Sequence, residues 1–125
     1  MLELAPHVVN VHFGLTSYYR GINGIENAII IEDLGRIGIT IHYVVSKVDA
    51  GEIIKVVIGD HNQPPEKFFQ TLNDTAIREY VNVVKTLFKD GSIKSKPQDI
   101  TFGRNYRIRE WNYKKQNVLA EKILE

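Results

Sequence analysis

A short apolar run near the start of the chain, VVNVHF at residues 8–13, places the tightest constraint on its fold. The β-branched and apolar residues predict a buried strand. Because side chains alternate along a strand, Asn10 and His12 share one face, and the opposite face is wholly apolar. An amide and an imidazole are costly to bury unless both find hydrogen-bond partners. The polar face therefore indicates either satisfied structural contacts or a functional site, and the spacing alone leaves both open.

The remaining elements alternate between strand and helix, which predicts an α/β fold. A loop with Gly21 and Gly24 follows the first strand, and then come a helix at 25–32, strands at 38–45 and 53–58, a helix at 65–89, a small strand at 105–109 and a last helix capped by Asn112. The second and third strands are predicted to pair antiparallel. A length of 125 residues predicts a single domain.

The predicted helix at 65–89 carries one apolar stripe along its length. Pro65 suits its first turn and Gly91 suits its C-terminal cap. The stripe steps by three or four residues through Phe69, Leu72, Ala76, Tyr80, Val83 and Leu87. This face is expected to cover the core, and the polar residues 92–99 are predicted to link the helix to the C-terminal elements.

Composition excludes several classes of function. The chain contains no cysteine, which excludes a disulfide scaffold, a thiol nucleophile and a cysteine-ligated metal site. No apolar run is long enough to span a membrane, and no signal-peptide pattern opens the sequence, so a cytoplasmic protein is predicted. Basic residues outnumber acidic ones from residue 85 onward, so the C-terminal part faces either an anionic partner or solvent.

The strand at 8–13 has the composition of an interior strand, which needs a neighbour on each side. The other predicted strands form a narrow sheet, and only nine residues precede Asn10. An unpaired interior strand is a ready edge for pairing. We therefore expect the chain to form a homo-oligomer, or to pair with another chain, through residues 8–13.

Two separated segments resemble the folate-dependent formyltransferase family, which includes phosphoribosylglycinamide, methionyl-tRNA and sugar N-formyltransferases. The family pattern N-x-H-P-S-L-L-P-x-Y-R-G, followed by G-V-T-I-H-x-V and D-x-G-x-I-I, matches the chain without a gap from Asn10 to Ile54. The Pro-Ser and Leu-Pro pairs of the pattern are Phe-Gly and Thr-Ser here, and losing both prolines is expected to loosen the loop. The long helix and the NYRIREW segment look closest to the sugar N-formyltransferases.

The resemblance implies the C-terminal portion of a Rossmann-like formyltransferase fold, an α/β fold with a small mixed sheet and flanking helices. In the family a nucleotide-fold half precedes the N-x-H motif, so this chain is expected to lack that half and to pair with it. Residues 6–90 are then expected to form half of the catalytic core, and residues 91–125 a C-terminal strand–helix extension within the same single domain, 1–125.

The resemblance also implies a reaction and the residues that carry it. The formyl donor is expected to be 10-formyltetrahydrofolate and the acceptor an amine, with a nucleotide-linked amino sugar as the leading candidate; no metal is implied. Asn10 and a protonated His12 are expected to donate hydrogen bonds to the developing oxyanion. Asp49 is expected to hold His12 charged and oriented, and to accept the proton of the amine. The expected folate-binding turn is Val45, Ser46, Lys47, Val48 and Asp49, and the expected supporting residues are Tyr19, Arg20, Gly21 and His42.

Several alternatives stay open. Arg20 either binds an anionic substrate or, as favoured, pins its loop through backbone carbonyls. His42 either supports the site or is purely structural. The chain as a whole is either a transferase or a non-catalytic relative that serves as an oligomerisation or binding module; a formyltetrahydrofolate deformylase fits less well, because the Tyr-Arg-Gly of the transferases is present. The basic and aromatic residues at 104–115 either stack on nucleic acid or, as favoured, anchor the C-terminal segment.

Overall fold

The computed structural model describes residues 8–45, 49–99, 103–107 and 111–124. In chain order the elements are β1 (Val9–His12), β2 (Tyr19–Gly21), α1 (Gly24–Ile30), a 3₁₀ turn (Leu34–Arg36), β3 (Gly38–Tyr43), β4 (Ile53–Ile58), α2 (Pro65–Asp90), β5 (Arg104–Tyr106) and α3 (Tyr113–Leu124). This mixed order agrees with the predicted α/β class. Within these ranges, no helix combines the length and the apolar content that crossing a membrane requires.

Strand β3 is the centre of a three-stranded antiparallel sheet with the order β1-β3-β4. The β3–β4 ladder runs from Gly38 opposite Ile58 to His42 opposite Ile53, which confirms the predicted antiparallel pairing. On the other side of β3, the register places Asn10 opposite His42. Within the described residues, β1 therefore pairs along one side only, and its other side is a free edge.

The loop predicted after the first strand contains a short strand that periodicity did not indicate. This strand, β2, pairs in parallel with β5, from Tyr19 opposite Arg104 to Gly21 opposite Tyr106. Strands of three residues are too short for a periodic signal, because they depend on each other and on the core for stability. The predicted strand at 105–109 begins one residue earlier than expected, and residues 108–110 lie outside the described ranges.

The core lies between α2 and the apolar face of the sheet. Ile39 and Ile41 of β3 are completely buried there. The stripe on α2 differs from its prediction, because Phe68 rather than Phe69 is buried and Tyr80 is 37% exposed. The buried face, as observed, consists of Phe68, Leu72, Ala76 and Val83. Gly59 explains why Phe68 is buried in place of Phe69, since a Cβ at position 59 would fall 2.4 Å from the Phe68 ring.

The predicted caps at Gly91 and Asn112 are both present. Gly91 adopts φ 77° after α2, and its N–H donates to the carbonyl of Leu87 at 2.9 Å, which confirms the predicted cap. The side chain of Asn112 accepts a hydrogen bond from the N–H of Lys115 at 2.9 Å at the start of α3, as predicted. Helix α1 ends two residues before its prediction, and Glu32 beyond it takes a positive φ of 60°.

The polar residues 92–99, predicted to link α2 to the C-terminal elements, also pack along the β3–β4 hairpin. Ile53 and Lys96 exchange two backbone hydrogen bonds, at 2.7 and 2.8 Å. The Tyr43 hydroxyl donates to the carbonyl of Ile93 at 3.1 Å. Backbone groups of the hairpin find their partners in this segment, because buried N–H and C=O groups need them. The segment thereby lies beside the turn that carries Asp49.

Candidate active site

A carboxylate between two histidines forms the centre of the candidate site. Asp49 Oδ2 lies 3.3 Å from His12 Nδ1, and Asp49 Oδ1 lies 3.4 Å from His42 Nε2. The backbone N–H of Gly21 donates a hydrogen bond to Asp49 Oδ2 at 2.9 Å. One carboxylate therefore joins the ends of β1 and β3 to the end of β2.

The sheet register brings the two histidines to the same face. His12 lies opposite Thr40, and His42 is two residues further along β3, so both imidazoles point to the side away from the apolar core. Asp49 follows on the turn between β3 and β4 and adopts a positive φ of 52°. Aspartate tolerates this left-handed conformation better than most residues do, which suits it to a tight turn.

Both ring nitrogens of His12 face hydrogen-bond acceptors. Nε2 donates to the carbonyl of Tyr19 at 2.7 Å, and Nδ1 faces Asp49. Only the protonated imidazolium carries a donor on both nitrogens, so this arrangement is fully satisfied when the ring is charged. The His12 residue is 8% exposed, so its ring lies just below the surface at the end of β1.

Asp49 and His42 support each other's charged form. Burial raises the pKa of Asp49, but hydrogen bonds from His42 and Gly21 and the charge of His12 outweigh burial, so the pKa is lowered. Burial lowers the pKa of His42, but Asp49 and the hydrogen bond from His42 Nδ1 to the Tyr43 carbonyl, at 2.9 Å, outweigh it, so the pKa is raised. The site therefore favours an ionised carboxylate beside a protonated imidazole.

Asn10 lies on the same face of β1 and is exposed. Its backbone lies opposite His42, two residues from His12. Its side chain makes no hydrogen bond to the residues that the structure describes. The amide of Asn10 is therefore exposed on the face of β1 that carries His12.

Comparison with known proteins identifies the family. A model of the formyl transferase family matches residues 1–84. The chain belongs to the formyl transferase family. A curated relative, methionyl-tRNA formyltransferase of Listeria monocytogenes serovar 1/2a (strain ATCC BAA-679 / EGD-e), is 33% identical over 114 residues, which cover 84% of this chain and 35% of the relative. The chain thus spans about a third of the length of that formyltransferase.

Solved structures of other formyltransferases share the fold. The formyltransferase PseJ from Anoxybacillus kamchatkensis, in complex with UDP-4,6-dideoxy-4-formamido-L-AltNAc and tetrahydrofolate, superposes with a TM-score of 0.67 at 23% identity, over 92% of this chain and 63% of that one. The N-formyltransferase from Helicobacter canadensis, in complex with folinic acid and dTDP-3-aminofucose, gives a TM-score of 0.70 at 13% identity, over 94% and 48%. These superpositions confirm the predicted formyltransferase-type fold.

Arg20 of β2 binds the loop that precedes this strand. Its Nη1 donates to the carbonyl of Thr16 at 2.8 Å and to that of Ser17 at 3.4 Å. Burial lowers the pKa of the guanidinium, and the charge of Asp49 opposes that shift. These contacts agree with the loop-pinning role that the sequence analysis favoured.

Tyr19 supports the site through both its backbone and its ring. Its carbonyl accepts the hydrogen bond from His12, and its hydroxyl donates to Asp33 Oδ2 at 2.6 Å. Burial, together with the bond to Asp33, raises the pKa of the Tyr19 hydroxyl far above its ordinary value. Tyr19 is thus buried and hydrogen-bonded at both its carbonyl and its hydroxyl, and its role in the site stays a prediction.

The C-terminal segment is attached to the site region through Tyr106. Its ring stacks on Tyr19, with ring centroids 5.9 Å apart. The Arg104 guanidinium and the Lys115 ammonium lie 4.8 and 5.8 Å from the centroid of the same ring. These contacts agree with the anchoring interpretation of the basic and aromatic residues at 104–115.

The predicted folate-binding turn is described at its two ends. Val45 is 44% exposed at one end, and Asp49 closes the other. Ser46, Lys47 and Val48 lie outside the described residues. The assignment of this turn to folate binding therefore stays a prediction.

Gln98 reaches the site although the sequence analysis did not single it out. Its Nε2 donates to the carbonyl of Asp49 at 2.9 Å and to that of Gly51 at 2.7 Å. A glutamine in a polar segment carries no signal of such a role, because only the tertiary path of residues 92–99 brings it to the turn. The formyl transferase pattern quoted above also ends before this position.

Proposed function

We propose that this chain carries the catalytic site for formyl transfer from 10-formyltetrahydrofolate to an amino group, with a nucleotide-linked amino sugar as the acceptor. The observation that carries the proposal is the Asp49 carboxylate paired with His12, on the face of β1 that also carries the exposed Asn10. The folate-bound and nucleotide-sugar-bound structures of related fold support the choice of donor and acceptor. The similarity to a methionyl-tRNA formyltransferase supports formyl transfer in general.

The chemistry of the transfer explains why these residue types are needed. The donor supplies a formyl carbon, to which an amine adds while negative charge develops on the formyl oxygen. When this intermediate collapses, the bond between the formyl carbon and the donor nitrogen breaks, and that nitrogen takes up a proton as tetrahydrofolate leaves. Asn10 donates a hydrogen bond to that oxygen, and the positive charge of His12 lies close enough to stabilise it. The hydrogen bond from His12 Nε2 to the Tyr19 carbonyl fixes the ring. A hydrogen bond from Nε2 to the substrate would have to share this donor with Tyr19 or replace the bond to Tyr19.

Asp49 is better suited to stay ionised than to take up a proton. Its lowered pKa keeps it ionised, so its main effect is to stabilise the imidazolium of His12 and to fix the ring plane. The proton lost by the attacking amine leaves through water near the carboxylate, or through the carboxylate itself. Neither step requires a covalent intermediate on the protein.

Asn10→Ala tests this function with little effect on folding. The exposed amide makes no internal bond to the described residues, so its removal is expected to lower kcat by about 10²–10³-fold, the value of one oxyanion donor. The free energy of unfolding is expected to change by less than about 0.5 kcal/mol, as for other surface substitutions. Transfer to dTDP- and UDP-linked amino sugars is measured beside Asn82→Ala, an exposed asparagine on α2. Unchanged turnover in Asn10→Ala would contradict the proposed role.

We also propose that the free edge of β1 pairs with a strand of a second polypeptide. β1 is bonded along one side by β3, and Phe13 at its end is 45% exposed. Strand edges with unpaired backbone groups recruit further strands. Sedimentation at high micromolar concentration is expected to show self-association, or complex formation when a polypeptide with the nucleotide-fold half of a formyltransferase is added. A strictly monomeric species under both conditions would contradict this pairing.

A further inference from the structure

One side chain from the C-terminal extension holds the turn that carries Asp49. Gln98 Nε2 donates to the Asp49 carbonyl at 2.9 Å and to the Gly51 carbonyl at 2.7 Å, so its amide group spans the turn. Its Oε1 accepts a longer hydrogen bond, at 3.5 Å, from the Ser17 hydroxyl on the loop after β1. Gln98 thereby connects the turn to the loop whose carbonyls accept hydrogen bonds from Arg20.

The turn needs such a restraint because of its conformation. Asp49 has a φ of 52°, a region that non-glycine residues occupy at some energetic cost. The backbone of Gly51 packs closely against β3, because a Cβ there would fall 1.7 Å from the Tyr43 carbonyl oxygen. The direction of the Asp49 carboxylate depends on this backbone, since it must face His12 and His42 together.

Gln98 is itself held firmly. The two backbone hydrogen bonds between Ile53 and Lys96 fix the segment two residues before it. The contact between the Tyr43 hydroxyl and the Ile93 carbonyl fixes the same segment further upstream. The glutamine amide is therefore presented to the turn by a strand-like segment and not by a free tail.

We propose that Gln98 is a positioning residue, which directs the Asp49 carboxylate toward His12 and His42 by binding the carbonyls of Asp49 and Gly51. The effect of Gln98 on catalysis rests on the proposed formyl transfer, whereas the effect of Gln98 on the geometry of the turn does not. The charged groups that face Asp49 are His12, His42 and Arg20, so a change in its position alters the electrostatics of all three. Displacement of a catalytic group by about 1 Å costs up to about 10²-fold in rate.

Three variants test the proposal. Gln98→Ala removes both hydrogen bonds, and Gln98→Glu keeps the size but replaces the donor by a carboxylate that cannot donate to carbonyls. Ser95→Ala is the matched control, because its hydroxyl donates to the exposed Glu52 carboxylate at 2.8 Å on the same segment. Both Gln98 variants are expected to lower kcat by about 10–100-fold with KM changed less than about twofold, and Ser95→Ala is expected to leave both unchanged.

A second measurement does not depend on turnover. NMR titration of the histidine rings is expected to move the midpoint of His42 down toward its ordinary value in both Gln98 variants, and not in Ser95→Ala. In the unsubstituted chain, the Gln98 side-chain amide protons are expected to exchange slowly with solvent. An unchanged His42 midpoint in a folded Gln98 variant, or fast exchange of these amide protons, would overturn the proposal. If the midpoint shifts but the unsubstituted chain transfers no formyl group, the positioning role stands and the proposed function fails.

Discussion

Asp49→Asn is expected to lower formyl transfer by about 10²–10⁴-fold while the chain stays folded. Asparagine has the same shape, tolerates the positive φ of this turn and still accepts the hydrogen bond from the Gly21 N–H. It removes the negative charge that His12 and His42 face at 3.3 and 3.4 Å. The fall in formyl transfer in Asp49→Asn therefore measures the electrostatic contribution of the carboxylate separately from its structural contribution.

The same variant is expected to change how stability depends on pH. The raised pKa of His42 stabilises the fold fully below the ordinary value of 6.5, and this contribution is lost as pH rises through the raised value. The lowered pKa of Asp49 stabilises the fold above the ordinary value of 3.8, and this contribution is lost as pH falls through the lowered value. Both contributions are therefore complete between about pH 4 and pH 6.5.

Urea denaturation across this pH range checks the expectation. Asp49→Asn is expected to flatten the dependence of the free energy of unfolding on pH, whereas Asp74→Asn, an exposed aspartate on α2, is expected to retain it. If Asp49→Asn showed the turnover and the pH dependence of the unsubstituted chain, the carboxylate would have no role in holding the imidazolium.

Gly21→Ala is expected to destabilise the chain by about 2–6 kcal/mol, because left-handed strain and forced overpacking each cost about 1–3 kcal/mol. Gly21 adopts a φ of 86°, and a Cβ there would fall 1.9 Å from the Tyr106 carbonyl and 2.5 Å from Asn105 Oδ1. Relief of this clash requires β2 and β5 to separate. The Gly21 N–H would then move away from Asp49, so formyl transfer is expected to fall as well.

Gly35→Ala provides the matched control for this substitution. A Cβ at Gly35 meets no atom of the described residues within 4 Å, so the free energy of unfolding of Gly35→Ala is expected to stay within about 0.5 kcal/mol of that of the unsubstituted chain. Urea denaturation of both variants at one pH makes the comparison. Equal stability of Gly21→Ala and Gly35→Ala would contradict the close packing of β2 against β5.

Local sequence patterns were sufficient to predict the parts of the fold in which neighbours along the chain decide the structure. The alternation in β1 and β3 predicted which side chains share a face, and the register then brought Asn10 opposite His42. The caps at Gly91 and Asn112 follow from rules that involve only a few adjacent residues. The positions of His12 and Asp49 in the two family motifs suggested that they belong to one site.

Features that depend on distant parts of the chain could not be predicted in this way. The pairing of β2 with β5 joins two segments of three residues, and neither segment has a periodic signal of its own. Gln98 reaches Asp49 only because residues 92–99 follow the β3–β4 hairpin back to the turn. The choice of Phe68 over Phe69 depends on the space that Gly59 leaves in a different element.

Calorimetric titration of the chain with a stable, non-transferring analogue of 10-formyltetrahydrofolate tests the central claim most directly. If the Asp49 turn and the face of β1 form a folate site, the analogue is expected to bind saturably. Binding is expected to weaken in Asp49→Ala, which alters the turn itself, and to persist in the Gly35→Ala control. Absence of saturable binding at millimolar analogue, in a chain shown to be folded, would contradict the claim that these residues form a folate-binding site.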